Sequence, residues 1–155
     1  AGDNRVLAMN KKEATVEQAK QAVRWAKEAG IKVWGYFMLG MYGDTKASME
    51  RTLQLASTLP CDIANFAIAA PYPGTEWGNI ASEAGWLADQ RWAAYDQNHS
   101  AIVEQPDCSR KLVLQYQKKA YLKWYLSWRG LKFLLNAWRP RYARFFWQVA
   151  KAHLG

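Results

Sequence analysis

The sequence predicts an α/β fold built on parallel strands, and two observations carry the expectation. Segments of helical period alternate with short aromatic and β-branched runs, in the order helix, strand, helix, strand. The joints between them are a few residues long, and the two strand starts lie about 30 residues apart, the span of one strand–helix–strand unit. From Ser109 onward the chain reads as helices without strands, so an α-helical C-terminal extension is expected to follow.

Thr15 opens the first helix, with Val16, Ala19, Val23 and Ala26 recurring at three and four. Thr15 and Gln18 have the spacing of a capping box, and Gly30 stands where a helix C-cap belongs. "IKVWGYFML", residues 31–39, is then bounded by Gly30 and Gly40 and reads as a strand buried on both faces. Beyond Gly40 and Gly43, Asp44 or Thr45 caps a second helix, which sets Met49, Leu53, Ala56 and Leu59 on one face and stops at Pro60. "DIANFAIAA", residues 62–70, is a second buried strand closed by "PYPGT". Ligands of such sheets sit beyond the carboxyl ends of the strands, so "GMYGDT" and "PYPGT" are expected to form one wall of a site.

Composition sets the outer bounds. At 155 residues and 50% hydrophobic, the chain has the size of one domain, which buries about 70% of its unfolded surface. No run of about 18 apolar residues and no basic-then-apolar leader is present, which makes the cytoplasm the expected compartment. The first residues are Ala-Gly-Asp rather than Met, so a piece of a longer protein is expected. Residues 109–155 hold 11 Lys and Arg and no Asp or Glu, whereas the preceding residues are slightly acidic. That contrast places a boundary near Pro106 and Asp107.

Several chemistries fail on residue type. Gly35 and Gly40 have the spacing of a phosphate-binding GxxxxGK[ST] loop, but Met41 and Tyr42 stand where Lys and Ser or Thr must be. The dinucleotide pattern GxGxxG is absent, leaving Gly40 and Gly43 as suppliers of positive φ in a strand-to-helix turn. His99 and His153 have no carboxylate or cysteine at ligand spacing, against a zinc site or a histidine triad. Asp44 and Glu50 read as capping or solvated carboxylates, and Cys61 and Cys108 as structural thiols.

Four pieces in order, "RVLAMNKK", "AKEAGIKV", "GYFMLGMYGDT" and "PYPGTEW", resemble the later half of the core of radical S-adenosylmethionine (radical SAM) enzymes. The resemblance covers residues 1–77 and is greatest to members with an added cobalamin-binding domain, of the anaerobic porphyrin cyclase and hopanoid methylase type. It implies the last βα units of a partial (β/α)6 TIM-type barrel, with the two strands as its fifth and sixth. Residues 1–75 would be barrel, 76–108 a connecting segment and 109–155 the basic, Trp-rich extension. The implied cofactors are S-adenosylmethionine and a [4Fe-4S] cluster, which together generate a 5′-deoxyadenosyl radical, with cobalamin as a further candidate. By position, Phe37, Met38, Leu39 and Gly40 would line one side of the adenine, and Ala69, Ala70, Pro71 and Tyr72 would offer backbone groups to it.

The family's CxxxCxxC cluster motif is absent, Tyr42 stands where proline is common, and Asp44 where glutamate is common. A C-terminal fragment that is inactive or unstable alone, because its N-terminal barrel half is missing and its two strands have open edges, is therefore expected. In the basic extension, Leu112, Tyr116, Ala120 and Trp124 share a helical face, and Gly130 and Pro140 mark breaks. Three roles are open for it: packing on the barrel, peripheral contact with an anionic membrane at its inner face, or, ranked last, nucleic-acid binding. The latter two would make the chain a non-catalytic binding module.

Overall fold

The helix that Thr15 predicts is present, but it is the second, since a short helix capped by Asp3 that the sequence reading does not name precedes it. In the computed structural model, which describes residues 1–137, helix α1 spans Asn4–Met9 and α2 spans Val16–Glu28. Thr15 Oγ1 accepts from the Gln18 amide and Gln18 Oε1 accepts from the Thr15 amide, completing the capping box at 3.2 and 2.8 Å. At the other end Gly30 takes φ +73°, Gly30 N–H donates to Lys27 O and Ile31 N–H to Ala26 O. That paired closure spends Ile31 on the helix end, so strand β1 begins at Trp34 and runs to Leu39 rather than starting at Ile31. Helix α3 (Lys46–Thr58) is capped by Thr45, and β2 (Ile63–Ile68) follows Pro60.

β1 and β2 pair in parallel from Trp34↔Ile63 to Leu39↔Ile68, with α3 as the crossover. The described sheet has these two strands, so the α/β class holds, while closure into a six-stranded barrel is more than residues 1–137 show. At the amino-terminal edge, Asp62 ties the elements together. Its carboxylate accepts from Lys27 Nζ at 2.7 Å, at the end of α2, and from the Val33 amide, just before β1.

Phe37, Leu39, Ala64, Phe66 and Ile68 alternate onto one face of the sheet and join a core with Met49, Leu53 and Ala56 of α3. Trp34 and Tyr36 lie on the other face, 56% and 66% exposed, so β1 is not buried on both faces as its composition suggests. The reason is geometric: the helices of the described chain fill one side of the sheet, and period-two alternation puts every second residue outside that core. Residues 76–108 add a small satellite core. Helix α4 (Glu76–Glu83) contributes Ala81, which packs with Ile102, Val103 and Trp86.

Helix α5 (Arg110–Tyr125) lies against this main core, inserting Val113, Tyr116, Ala120 and Trp124, the last 2% exposed. It also changes the fate of the outer edge of β2. Gln117 Nε2 donates to Phe66 O at 2.8 Å and to Asn98 O at 3.0 Å, Phe66 N–H donates to Tyr121 Oη, and Ile68 N–H donates to Gln97 O. That edge is sealed by side chains and loop rather than open, contrary to the exposed-edge expectation.

Helix α6 (Trp128–Ala137) starts on Ser127, whose Oγ accepts from the Gly130 amide. Gly130 is therefore inside the first turn of a helix and not a break. A Cβ there would stand 2.3 Å from Trp124 O, so the glycine serves the close approach of α6 to the end of α5. Arg129 Nη1 donates to Ser57 O and Leu59 O, capping the carbonyl end of α3. The expected break at Pro140, together with Trp138 and Trp147, lies outside the described residues. Among the described residues, no helix is long and apolar enough to cross a membrane.

Replacing Gln117 by Leu removes the donor to two carbonyls while keeping volume. The expected loss is about 1–3 kcal/mol, read as a lower urea midpoint with an unchanged m-value.

Candidate functional site at the carboxyl ends of the strands

The turn that leaves β1 is held by side chains from widely separated segments. Gly40 and Gly43 take φ of +73° and +76°, conformations that a residue with a Cβ rarely adopts. Gln105, 6% exposed, donates from Nε2 to Met41 O at 3.1 Å and accepts on Oε1 from the Gly43 amide at 3.0 Å. Asn10 Nδ2 donates to Tyr42 O at 2.9 Å and Arg5 Nη2 to Gly43 O at 2.6 Å. Asp44 Oδ2 accepts from the Met41 amide at 3.0 Å, and its other oxygen accepts from Ser48 Oγ. The Met41 and Gly43 amides that a phosphate loop would present are thus occupied by the protein's own side chains, and this turn is not an anion cradle.

Asp44 is neither a solvated carboxylate nor the helix cap. It is 1% exposed, and Thr45 is the N-cap of α3. Burial raises its pKa above the ordinary carboxylate value, against the lowering effect of its bonds from Ser48 and the Met41 amide.

The second edge follows without interruption. Ala69 N–H donates to Leu39 O at 2.8 Å, carrying the pairing one residue past β2. Ala69 is buried with Met41 and Val6 of α1, and Pro71 is fully buried. Tyr72 stacks on Tyr95 with centroids 5.6 Å apart, and its carbonyl accepts from Thr75 Oγ1 and the Thr75 amide.

The structure divides the residues named from the sequence. Phe37 and Leu39 point into the main core, 5% and 0% exposed. Met38 points the opposite way and packs beside Ala69. A Cβ on Gly40 would stand 3.1 Å from the methyls of Val113, so this glycine is closed over by α5. Ala70 and Tyr72 are half-buried. At this end the opposite face keeps Met38 and Ala70 half-buried, small or unbranched and uncharged, while Ala69 is buried against Val6 and Met41. Sequence reasoning missed Gln105, Asn10 and Arg5, since a buried amide bonding a turn more than 60 residues away leaves no local periodicity. A separate open cleft of about 510 Å³ lies between the start of α1, α2 and α3, lined by Asp3, Arg5, Glu17, Lys20 and Arg51, away from the strand edge just described.

A family model described as the radical SAM superfamily matches residues 1–56, from α1 into α3. The chain belongs to the radical SAM superfamily. Similar proteins include an uncharacterized methyltransferase of Pyrococcus horikoshii, 30% identical over 79% of this chain and 26% of that protein. The anaerobic magnesium-protoporphyrin IX monomethyl ester cyclase of Rubrivivax gelatinosus is 36% identical over 43% of this chain and 12% of that protein. The bacteriochlorophyllide d C-8(2)-methyltransferase of Chlorobaculum tepidum is 25% identical over 82% of this chain and 28% of that protein. The radical SAM chain described here thus spans between 12% and 28% of the length of these relatives.

Membership implies S-adenosylmethionine and a [4Fe-4S] cluster. The two cysteines do not fit that cluster. Both are buried; burial pushes the Cys61 thiol up and carries Cys108 up to about 12, with Asp44, Glu104 and Asp107 adding to it. Cluster ligands are thiolates, and a site needs more of them than two inert thiols provide. Among the described residues no group of three or more His, Cys, Asp or Glu stands ready to hold a metal.

Gln105→Leu leaves the Gly43 amide without its partner and takes one of two donors from Met41 O, which keeps the Asp44 amide, with an expected loss of about 1–3 kcal/mol in urea unfolding. Asp44 gives a pH signature. Its raised folded pKa means that protonation favours the folded chain, so its contribution is fullest below the unfolded value of about 3.9 and is lost as pH rises through the folded value. The stability of wild type relative to Asp44→Asn should therefore fall from acid toward neutral pH in paired urea titrations. A difference that grows with pH would contradict the burial argument.

Proposed function

We propose that residues 1–75 supply the last two strands of the S-adenosylmethionine-binding barrel of a longer radical SAM enzyme. The adenine lies against the edge that Met38 and Ala70, both half-buried, leave on the face opposite the main core. The observation that carries this reading is the continuation of the parallel pairing one residue past β2, which sets Ala69 beside Leu39, the residue before the Gly40 turn. A neutral, flat base suits such an edge: thioether and methyl groups meet its face, and no charged side chain has to be desolvated. Phe37 and Leu39 act from behind, as the packed layer that keeps the edge in place.

S-adenosylmethionine, when bound, supplies the 5′-deoxyadenosyl group for radical modification of a substrate. This stretch orients the nucleoside and excludes water from one side of it. Methyl transfer with cobalamin as a second cofactor is the reaction class we favour, and cyclisation is the next. The names of the similar proteins and the resemblance to cobalamin-type members support that order.

The test is made in the full-length polypeptide carrying this chain, reconstituted with iron and sulfide. Met38→Arg puts a charge on the adenine face and should weaken S-adenosylmethionine binding about tenfold or more by calorimetry, while cluster absorbance stays unchanged. Trp34→Ala, on the same face but at the opposite end of β1, should leave the Kd as it was. Unchanged affinity in Met38→Arg overturns the proposal.

A further inference from the structure

Helix α6 is fixed on one side and bare on the other. Arg129 holds it to the end of α3 through Ser57 O and Leu59 O, and Phe133 packs edge-on against Trp124 with centroids 6.1 Å apart. With those contacts and the close approach at Gly130 turned inward, the residues on the far side are Trp128, Leu131 and Leu135, which are 77%, 41% and 70% exposed. Their spacing of three and four makes a single stripe along the helix. The stripe continues the apolar character of the α5–α6 corner, where Leu122 and Leu126, one helical turn apart, are 53% and 71% exposed.

An exposed stripe of this kind on a helix with a fixed orientation is a contact surface. Charge says what it contacts. Lys132 lies four residues after Trp128 and three before Leu135, on the flank of the stripe, and Lys118 lies one turn before Leu122; both are exposed. Residues 109–155 carry 11 cations and no carboxylate, so a surface reached by this stripe meets positive charge and no negative side chain from the same stretch. A Trp and leucines that enter an interface, flanked by lysines that stay at headgroup level, match a bilayer bearing anionic lipid.

We propose that the α5–α6 corner docks on an anionic membrane surface, with Trp128, Leu131 and Leu135 entering the headgroup boundary and Lys118 and Lys132 facing the lipid charge. Arg129 is a positioning residue for this contact, because it sets the direction in which the stripe faces. Docking in this way leaves the buried face of α5 in the core.

The full-length polypeptide carrying this chain is co-sedimented with vesicles of phosphatidylcholine containing phosphatidylglycerol, and with phosphatidylcholine alone. Binding is expected to the first and not the second, and to weaken as salt rises. Leu131→Asp with Leu135→Asp should abolish it, and Lys132→Glu should weaken the partition coefficient about fivefold or more. These positions are exposed, so far-UV circular dichroism of each variant should match wild type. The proposal is overturned if the double variant pellets like wild type, or if pelleting depends on residues 138–155 and not on the stripe. It is equally overturned if sedimentation equilibrium shows a dimer that the double variant dissolves while neither vesicle binds, which would assign the stripe to a second copy.

Discussion

The backbone of a buried turn has to find partners, and here that requirement organises the molecule. Between Gly40 and Asp44 the chain reverses from strand to helix with two residues at positive φ, so its amides and carbonyls are not in a ladder. Gln105, Asn10, Arg5 and Asp44 take them up. Those partners come from the first helix and its exit, from the turn itself and from the far end of residues 76–108. Through them α1, the carboxyl end of β1 and the connecting segment become one rigid rim. The position of Gly40 relative to Ala69 and Ala70 follows from it.

A two-stranded parallel sheet would ordinarily be a poor foundation for such a rim. What makes it serviceable is an unequal treatment of its surfaces. One face is filled by α3 and α5, and the outer edge of β2 is closed by Gln117, Tyr121 and Gln97. The other face keeps Trp34 and Tyr36 stacked on each other at 5.4 Å and open. Structure and function are thereby divided along the period of the strand: odd residues of β1 hold the fold, and even ones are left for whatever occupies the open side. Of the residues that the resemblance would set along the adenine, Phe37 to Leu39 are in three dimensions one outward residue between two inward ones.

Local grammar was readable in advance, and long-range chemistry was not. The capping box of Thr15 and Gln18, the end of α2 at Gly30, the positive φ of Gly40 and Gly43, and the order of strands around α3 depend on neighbours within about four residues. The burial of Asp44 was missed because a capping position and a buried turn position look alike in sequence. The start of β1 was placed three residues early, since Ile31 is as β-prone as Trp34 and the Schellman bond that claims it is visible only in space. Gly130 was mistaken for a break because its reason is the carbonyl of Trp124 and not its own torsion. Most telling is Gln105, an unremarkable amide in a polar stretch that turns out to hold the candidate site together.

Gln105 also bears on how such chains diversify. It belongs to the segment between the strands and the basic helices, a stretch that could be exchanged to present new loops over the same edge. Any such graft has to deliver a primary amide to one point beside the Gly40 turn, or the rim loosens even though none of its own residues has changed. The segment is therefore pinned twice, by Gln97 and Asn98 at the outer edge of β2 and by Gln105 at the turn it grips.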